Sequence, residues 1–288
     1  MLVLQVLING LILGSFYAAI AMGFTLVWGV MNIINVTHGT ALMIGAYVSY
    51  WAFFLVGLDP FLSIPLSFIV VFGLSYLLQK YLINPIIKAP LFMTFIVTYG
   101  VALICENLAL VFFGADYKSA VPSYAGTGFS IGTLIIPYVR FSVLLISVFL
   151  VLLLFLFLEK TKTGLAIRAT RMNRDAAKLM GVNLGRVYAI TFAIGMGMAG
   201  AAGSLMSTSF VIAPNMGGRY LLRAFVISIL GGLGNIYGAL IGGLVFGLVE
   251  AFGALYLGPG YQESISMAVM VLVLVFKPSG ILGKAFYE

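Results

Sequence analysis

From Phe141 to Leu158 the chain carries no charged residue and only two hydroxyls, Ser142 and Ser147. A run of this kind cannot face water, and its length approaches the roughly 20 residues a helix needs to cross a ~30 Å hydrocarbon core. Comparable runs fill most of the 288 residues, of which 62% are hydrophobic and 8% charged; a soluble domain averages about 25% charged residues. The chain is therefore expected to be an all-α polytopic membrane protein, with room for about eight to ten spans and none for a separate soluble domain. Continuous apolar runs favour helices over a barrel, whose strands would alternate over about ten residues.

Charge is concentrated rather than spread. Nine of the 23 Lys, Arg, Asp and Glu residues fall between Glu159 and Arg186. Seven are basic (Lys160, Lys162, Arg168, Arg171, Arg174, Lys178, Arg186), against Glu159 and Asp175. The positive-inside rule puts this loop in the cytoplasm. The formal charge of +7 then reads as a topology signal, and no nucleic-acid partner is expected. The single cysteine, Cys105, excludes an internal disulfide and a thiolate metal site. One histidine, His38, excludes a His cluster or a Ser-His-Asp triad. Met1–Gly23 lacks a basic n-region and a clear cleavage site, so it reads as a retained first span.

Apolar segments fall at about 5–27, 38–57, 61–79, 92–113, 139–158, 187–209, 221–257 and 264–282. Asp59-Pro60 marks a tight turn; Lys80, Pro85, Lys88 and Pro90 mark the next connection. Residues 114–138, with Pro122, Gly126, Gly128, Gly132 and Pro137, read as a polar, irregular loop with one basic residue, Lys118. Counting back from a cytoplasmic 159–186 places 114–138 outside, 80–91 inside and the N-terminus outside, in agreement with the two inside lysines. The segment 221–257 is too long for one straight span and is interrupted by Gly231-Gly232-Leu233-Gly234-Asn235. It reads as a half-helix, a break and a full helix, or as a helix pair with a very short connection. The C-terminus lies outside if the segment crosses once and inside if it crosses twice; Lys277 and Lys284 favour inside. Asn35-Val36-Thr37-His38-Gly39 before Leu42–Gly45 is echoed by Asn235-Ile236-Tyr237-Gly238 before Leu240–Gly242. Repeated halves with interrupted helices frame the pathway of many transporters.

Glycines recur at small-residue spacing: Gly10 and Gly14, Gly195 and Ala199, Gly234 and Gly238, then Gly242, Gly243 and Gly247. They allow close helix approach or line an open bore. Polar residues within spans are costly and mark protein-lined interiors or pathways. Asn32, Asn35, Thr37 and His38 fit either a helix start capped by Asn35 or Thr37 or a broken helix beside a pathway. Glu106, Glu250 and Glu263 would pair with Arg219 or Arg223, or stay neutral and hydrogen-bonded. No G-x-x-x-x-G-K-[ST] motif is present, so energy comes from an ion gradient or from another subunit. Lys162–Arg171 followed by Asp175–Asn183 reads as a short amphipathic helix stopped by Gly181. It could dock in a partner's cleft or meet lipid headgroups.

The motifs together resemble the shorter of the two permeases of branched-chain amino acid ABC transporters. The resemblance is carried by Asn9-Gly10, Gly14–Ala18, Gly29–Asn35, His38-Gly39 and Met43–Tyr47 near the start. Gly164–Ala169 and Asp175–Gly181 continue it in the middle, and Ile229–Ile236, Gly238 and Lys277–Gly283 near the end. Val36-Thr37 stands where members commonly show Phe-Ala, and Asn235 replaces a frequent Ser, both at the breaks. The resemblance implies an ABC importer permease fold with two pseudo-repeated halves, built as a single transmembrane domain over residues 1–288 with a coupling loop at 159–186. It implies a non-enzymatic subunit without a cofactor, importing branched-chain amino acids; urea or short-chain amides are the alternative cargo, and a gradient-driven carrier the alternative machine. Implied partners are a homologous second permease, two ATP-binding subunits, an extracytoplasmic substrate-binding protein and membrane lipid. Asn32, Asn35, His38, Gly232, Gly234 and Asn235 are expected to border the pathway. Arg168, Arg171, Asp175, Ala177 and Gly181 are expected to contact the ATPase.

Overall fold

The computed structural model describes residues 2–131 and 134–283; Gly132 and Lys284, both used in the sequence reading, lie outside them. Among the described residues, eight helices are long and apolar enough to cross a membrane. They include α1 (Leu2–Met31), α2 (Thr37–Val56), α3 (Ile64–Leu78) and α4 (Leu91–Phe113). α5 (Tyr138–Lys160) precedes the short helices α6 (Lys162–Met172) and α7 (Arg174–Leu179) of the basic loop. α8 (Leu184–Met206), α10 (Ile236–Leu257) and α11 (Gln262–Phe276, led in by the 3-10 turn Pro259–Tyr261) complete the eight, and the shorter α9 (Gly217–Gly231) lies between α8 and α10. The third span continues past α3 through a π turn, Gln79–Ile83, and a 3-10 turn, Asn84–Ile86, where Pro85 is tolerated at the first helical positions.

α1 and α8 are apolar on every side and buried along most of their length, which makes them the centre of the bundle. α4, α5 and α11 bury only a few side chains and form the rim. Lipid supplies no hydrophobic drive between helices, so contact depends on how closely backbones approach. Gly23 of α1 and Gly195 of α8 face each other backbone to backbone. Gly45 of α2 lies on Gly200 of α8, and Gly203 on the Leu42 carbonyl. Along α10, Gly243 meets Ala18 and Gly247 meets Gly14. The glycines of the sequence pattern are thus taken up by helix contact.

α9 is the half-helix. Its 15 residues span about 22 Å, short of the ~30 Å core. It starts opposite the midpoint of α1: Tyr220 packs edge-on against Phe16, Phe225 against Phe24, and Thr25 donates to Ser228 at 2.7 Å. The break that follows lies at the same end of the bundle as the basic loop, since the Tyr237 hydroxyl donates to Glu159 Oε1 at 3.3 Å. The segment after α11 returns to that break: the Ile281 amide donates to the Leu230 carbonyl at 2.7 Å. With the basic loop inside, residues 277–283 are inside as well: α9 covers only the inner half of the membrane down to the break, and α10 crosses back over its full width.

The outer loop departs from the irregular expectation. Gly128–Ile131 (β1) and Leu134–Pro137 (β2) pair antiparallel, Phe129 opposite Ile136. Gln5 pins the hairpin to α1 by accepting from the Ile135 amide and donating to its carbonyl. Tyr124 donates to Asp59 Oδ2 at 2.6 Å, and burial, with that carboxylate beside it, raises the phenol above its ordinary range. Four serines, Ser49, Ser63, Ser204 and Ser207, bond one another and the Pro60 carbonyl, tying α2, α3 and α8 at the outer end.

A side chain at Gly203 would strike the Leu42 carbonyl and lie 2.9 Å from the Ala46 amide, whereas Gly73 has open space around it. G203V should destabilise the protein by about 1–3 kcal/mol through overpacking. G73A should be neutral or stabilise by up to ~1 kcal/mol. Thermal unfolding in detergent separates the two.

Candidate functional site

Two helix breaks shape the interior, and each is closed by an asparagine. At the first, the Asn35 carboxamide oxygen accepts from the Thr37 amide at 3.1 Å and from its hydroxyl, while the amide nitrogen reaches the Met196 sulfur at 3.1 Å. Thr98 of α4 closes the other side, donating to the Ile34 carbonyl at 3.1 Å and accepting from the Val36 amide at 3.3 Å. Asn32, exposed, takes a left-handed φ of 54° at the end of α1, a conformation asparagine tolerates. His38 is fully buried; its Nε2 donates to the Ile20 carbonyl at 3.0 Å and its ring lies edge-on to Phe24.

At the second break Gly232 and Gly234 have φ of 101° and 80°, which side chains rarely adopt. Asn235 caps α10, accepting from the Tyr237 and Gly238 amides, and its Nδ2 donates to the Leu282 carbonyl at 2.7 Å. The Leu282 amide in turn donates to the Gly231 carbonyl. The C-terminal segment therefore supplies the donors that α9 lacks at its end. The expected pathway residues thus separate: Asn35 and His38 lie in the bundle interior, Asn32 is exposed at the end of α1, and Gly232, Gly234 and Asn235 lie at the basic-loop end, where Gly234 rests against Gly29 of α1.

The structure divides the membrane glutamates. Arg223 of α9 donates to Glu250 Oε1 of α10 from both Nη2 (2.8 Å) and Nε (3.3 Å), with the pair almost wholly buried. Tyr17 and Tyr220 hold their rings 5.7 and 5.4 Å from the guanidinium. Arg219 pairs with Glu263 at 2.9 Å in an exposed contact. Glu106 faces a cavity of about 100 Å³ between α2, α4 and α9, whose walls include Thr40, Met43, Ala102, Gly217 and Leu221. Reading the sequence did not single out these wall residues. Thr40 and Met43 carry no signal apart from their place just after the first break.

Three caps order the basic loop: Thr161 accepts from the Gly164 amide, Asn173 from Ala176 and Asn183 from Arg186. Gly181, with φ 84°, ends the turn after α7. Arg168, Arg171, Asp175 and Gly181 are exposed. Ala177 is not: it is 4% exposed, turned toward its own chain, and so is withdrawn from the set that can touch a partner. Apolar side chains stand out in its place, Met172 and Leu179 at 88% exposure and Met180 at 85%.

Residues 6–276 match the family described as branched-chain amino acid transport system / permease component, and the chain belongs to that family. It is 32% identical to the high-affinity branched-chain amino acid transport system permease protein BraD of Pseudomonas aeruginosa, over 99% of this chain and 97% of that one. It is 33% identical to the corresponding LivH of Escherichia coli K12, with the same coverage. The probable branched-chain amino acid transport permease protein LivH of Methanocaldococcus jannaschii is 31% identical over 97% and 92%. PsaBC from Streptococcus pneumoniae, solved in complex with Fab, shares the fold, with a TM-score of 0.51 and 12% identity over 96% of this chain and 91% of that one. The chain is a permease of the ABC transport class and a multi-pass protein of the cytoplasmic membrane.

Because the Arg223–Glu250 pair is buried, removing one member leaves a charge without its partner. R223M alone should cost about 3–5 kcal/mol, and the double replacement R223M/E250M much less. A double-mutant cycle read from thermal unfolding should therefore show strong non-additivity; two independent, additive losses would mean the contact is not a coupled pair.

Proposed function

We propose that this chain imports branched-chain amino acids as one half of a two-permease pathway, driven by ATP hydrolysed on partner subunits. The whole chain acts as one transmembrane permease domain, with 159–186 as its coupling loop. The observation that carries the reading is the cytoplasmic loop itself: a rigidly capped helix pair that presents bare methionine and leucine side chains among basic residues. Exposed apolar tips of this kind suit a partner's cleft better than water. The chain's lack of a phosphate-binding loop fits a motor supplied from outside.

In this mechanism two ATP-binding subunits grip the loop around α7, with Arg168, Arg171, Asp175 and Gly181 in contact and Met172, Leu179 and Met180 as apolar anchors. Closure of the motor moves α6 and α7. Gly164, packed on the backbone of Phe157 and Leu158, passes that displacement to α5, and the bundle tilts between outward and inward openings. Asn32, Asn35, His38, Gly232, Gly234 and Asn235 border the path at the two breaks, Asn35 and His38 by fixing the backbone rather than by touching cargo. An extracytoplasmic binding protein delivers substrate to the face that carries the 128–137 hairpin.

Reconstitution with a second permease, two ATP-binding subunits and a binding protein tests this through uptake of labelled leucine, valine and urea. ATP-dependent uptake of leucine and valine, with little urea, is expected. G181W should leave the complex assembled and hydrolysing ATP while uptake falls by about tenfold or more. Uptake that persists without the ATP-binding subunits, or that is indifferent to G181W, would contradict the mechanism.

A further inference from the structure

We propose that the cavity between α2, α4 and α9 is a holding site for a small aliphatic molecule bearing an ammonium group, which Glu106 receives. This deepens the importer reading and rests on it. Of the four glutamates within or at the ends of the spans, Glu250 and Glu263 each have an arginine and Glu159 accepts from the Tyr237 hydroxyl. Among the described residues Glu106 has neither an ion pair nor a hydrogen bond, although it lies well inside α4. A carboxylate at membrane depth is expensive and calls for water, a cation or a proton. Glu106 borders a cavity, and that cavity offers no basic side chain to neutralise it.

The cavity has the size and lining for such a ligand. Its volume of about 100 Å³ is well beyond the ~10–15 Å³ that admits a single water. Met43, Ala102, Leu103 and Leu221 give it apolar walls, and Met43 can adapt to branched shapes. One anionic group beside an aliphatic surface matches the ammonium end and side chain of an aliphatic amino acid. Neutral urea would leave the carboxylate uncompensated and the apolar walls unfilled. The site also lies where two helices begin inside the membrane: Thr40 and Met43 follow the first break, and Gly217 and Leu221 open the half-helix α9. A shift of α9 along α1 would therefore change the shape of the cavity directly.

The test uses the complete transporter in proteoliposomes, with E106Q, E106D and A102L compared against wild type for uptake of labelled leucine and alanine. E106Q should lower leucine uptake by about 10- to 100-fold, the scale of a lost charge-assisted contact, with all subunits still co-purifying and ATP hydrolysis retained. E106D should recover part of it. A102L should depress leucine uptake more than alanine uptake. Wild-type uptake by E106Q would overturn the proposal, as would loss of the second permease from purified E106Q, since Glu106 would then be an interface partner. Failure of the wild-type complex to import any aliphatic amino acid would instead remove the importer reading beneath it.

Discussion

Backbone amides and carbonyls cannot be left bare inside a membrane, and this chain breaks its helices twice, once in the bundle interior and once at the end that carries the basic loop. The rest of the architecture follows from how those groups are satisfied. Asn35 and Thr98 close the first break from two sides. Asn235 and the C-terminal segment close the second, with the Ile281 and Leu282 amides on the last carbonyls of α9. Because the partners come from distant parts of the sequence, each break also joins helices that are not chain neighbours. α9 is tied at one end to residues 279–283 and midway to α10 through Arg223 and Glu250.

Close packing around α1 and α8 lets those breaks persist. Backbone contact at Gly23–Gly195 and Gly45–Gly200 leaves little freedom for the central helices to slide. The rim helices α4, α5 and α11 bury few side chains, and α5 leads straight into the basic loop.

Much of this was legible in the sequence. The spans, the basic loop, the interrupted segment after residue 221 and the stop at Gly181 all rest on local signals: apolar length, clustered charge, and glycine where φ must be positive. Contacts set by tertiary position were not legible. Whether Glu250 would take Arg219 or Arg223 depended on which faces α9 and α10 turn to each other. The inward turn of Ala177 depended on the fold of a six-residue helix. The pairing of Gly128–Ile131 with Leu134–Pro137 was hidden because glycine and proline dominate the neighbourhood, although Phe129 and Ile136 stand opposite each other. The isolation of Glu106 could be seen only once the other two glutamates had found their arginines.

The central claim is that the loop between the fifth and sixth spans is held by a separate ATP-hydrolysing subunit. Its most direct test is site-specific cross-linking from cysteines placed at Asp175 and Gly181, with Cys105 replaced, in a transporter that is actively importing. The account predicts a covalent adduct with the ATP-binding subunit whose yield changes between the nucleotide-free and ATP-bound states. A working transporter that gives no such adduct from either position would contradict it.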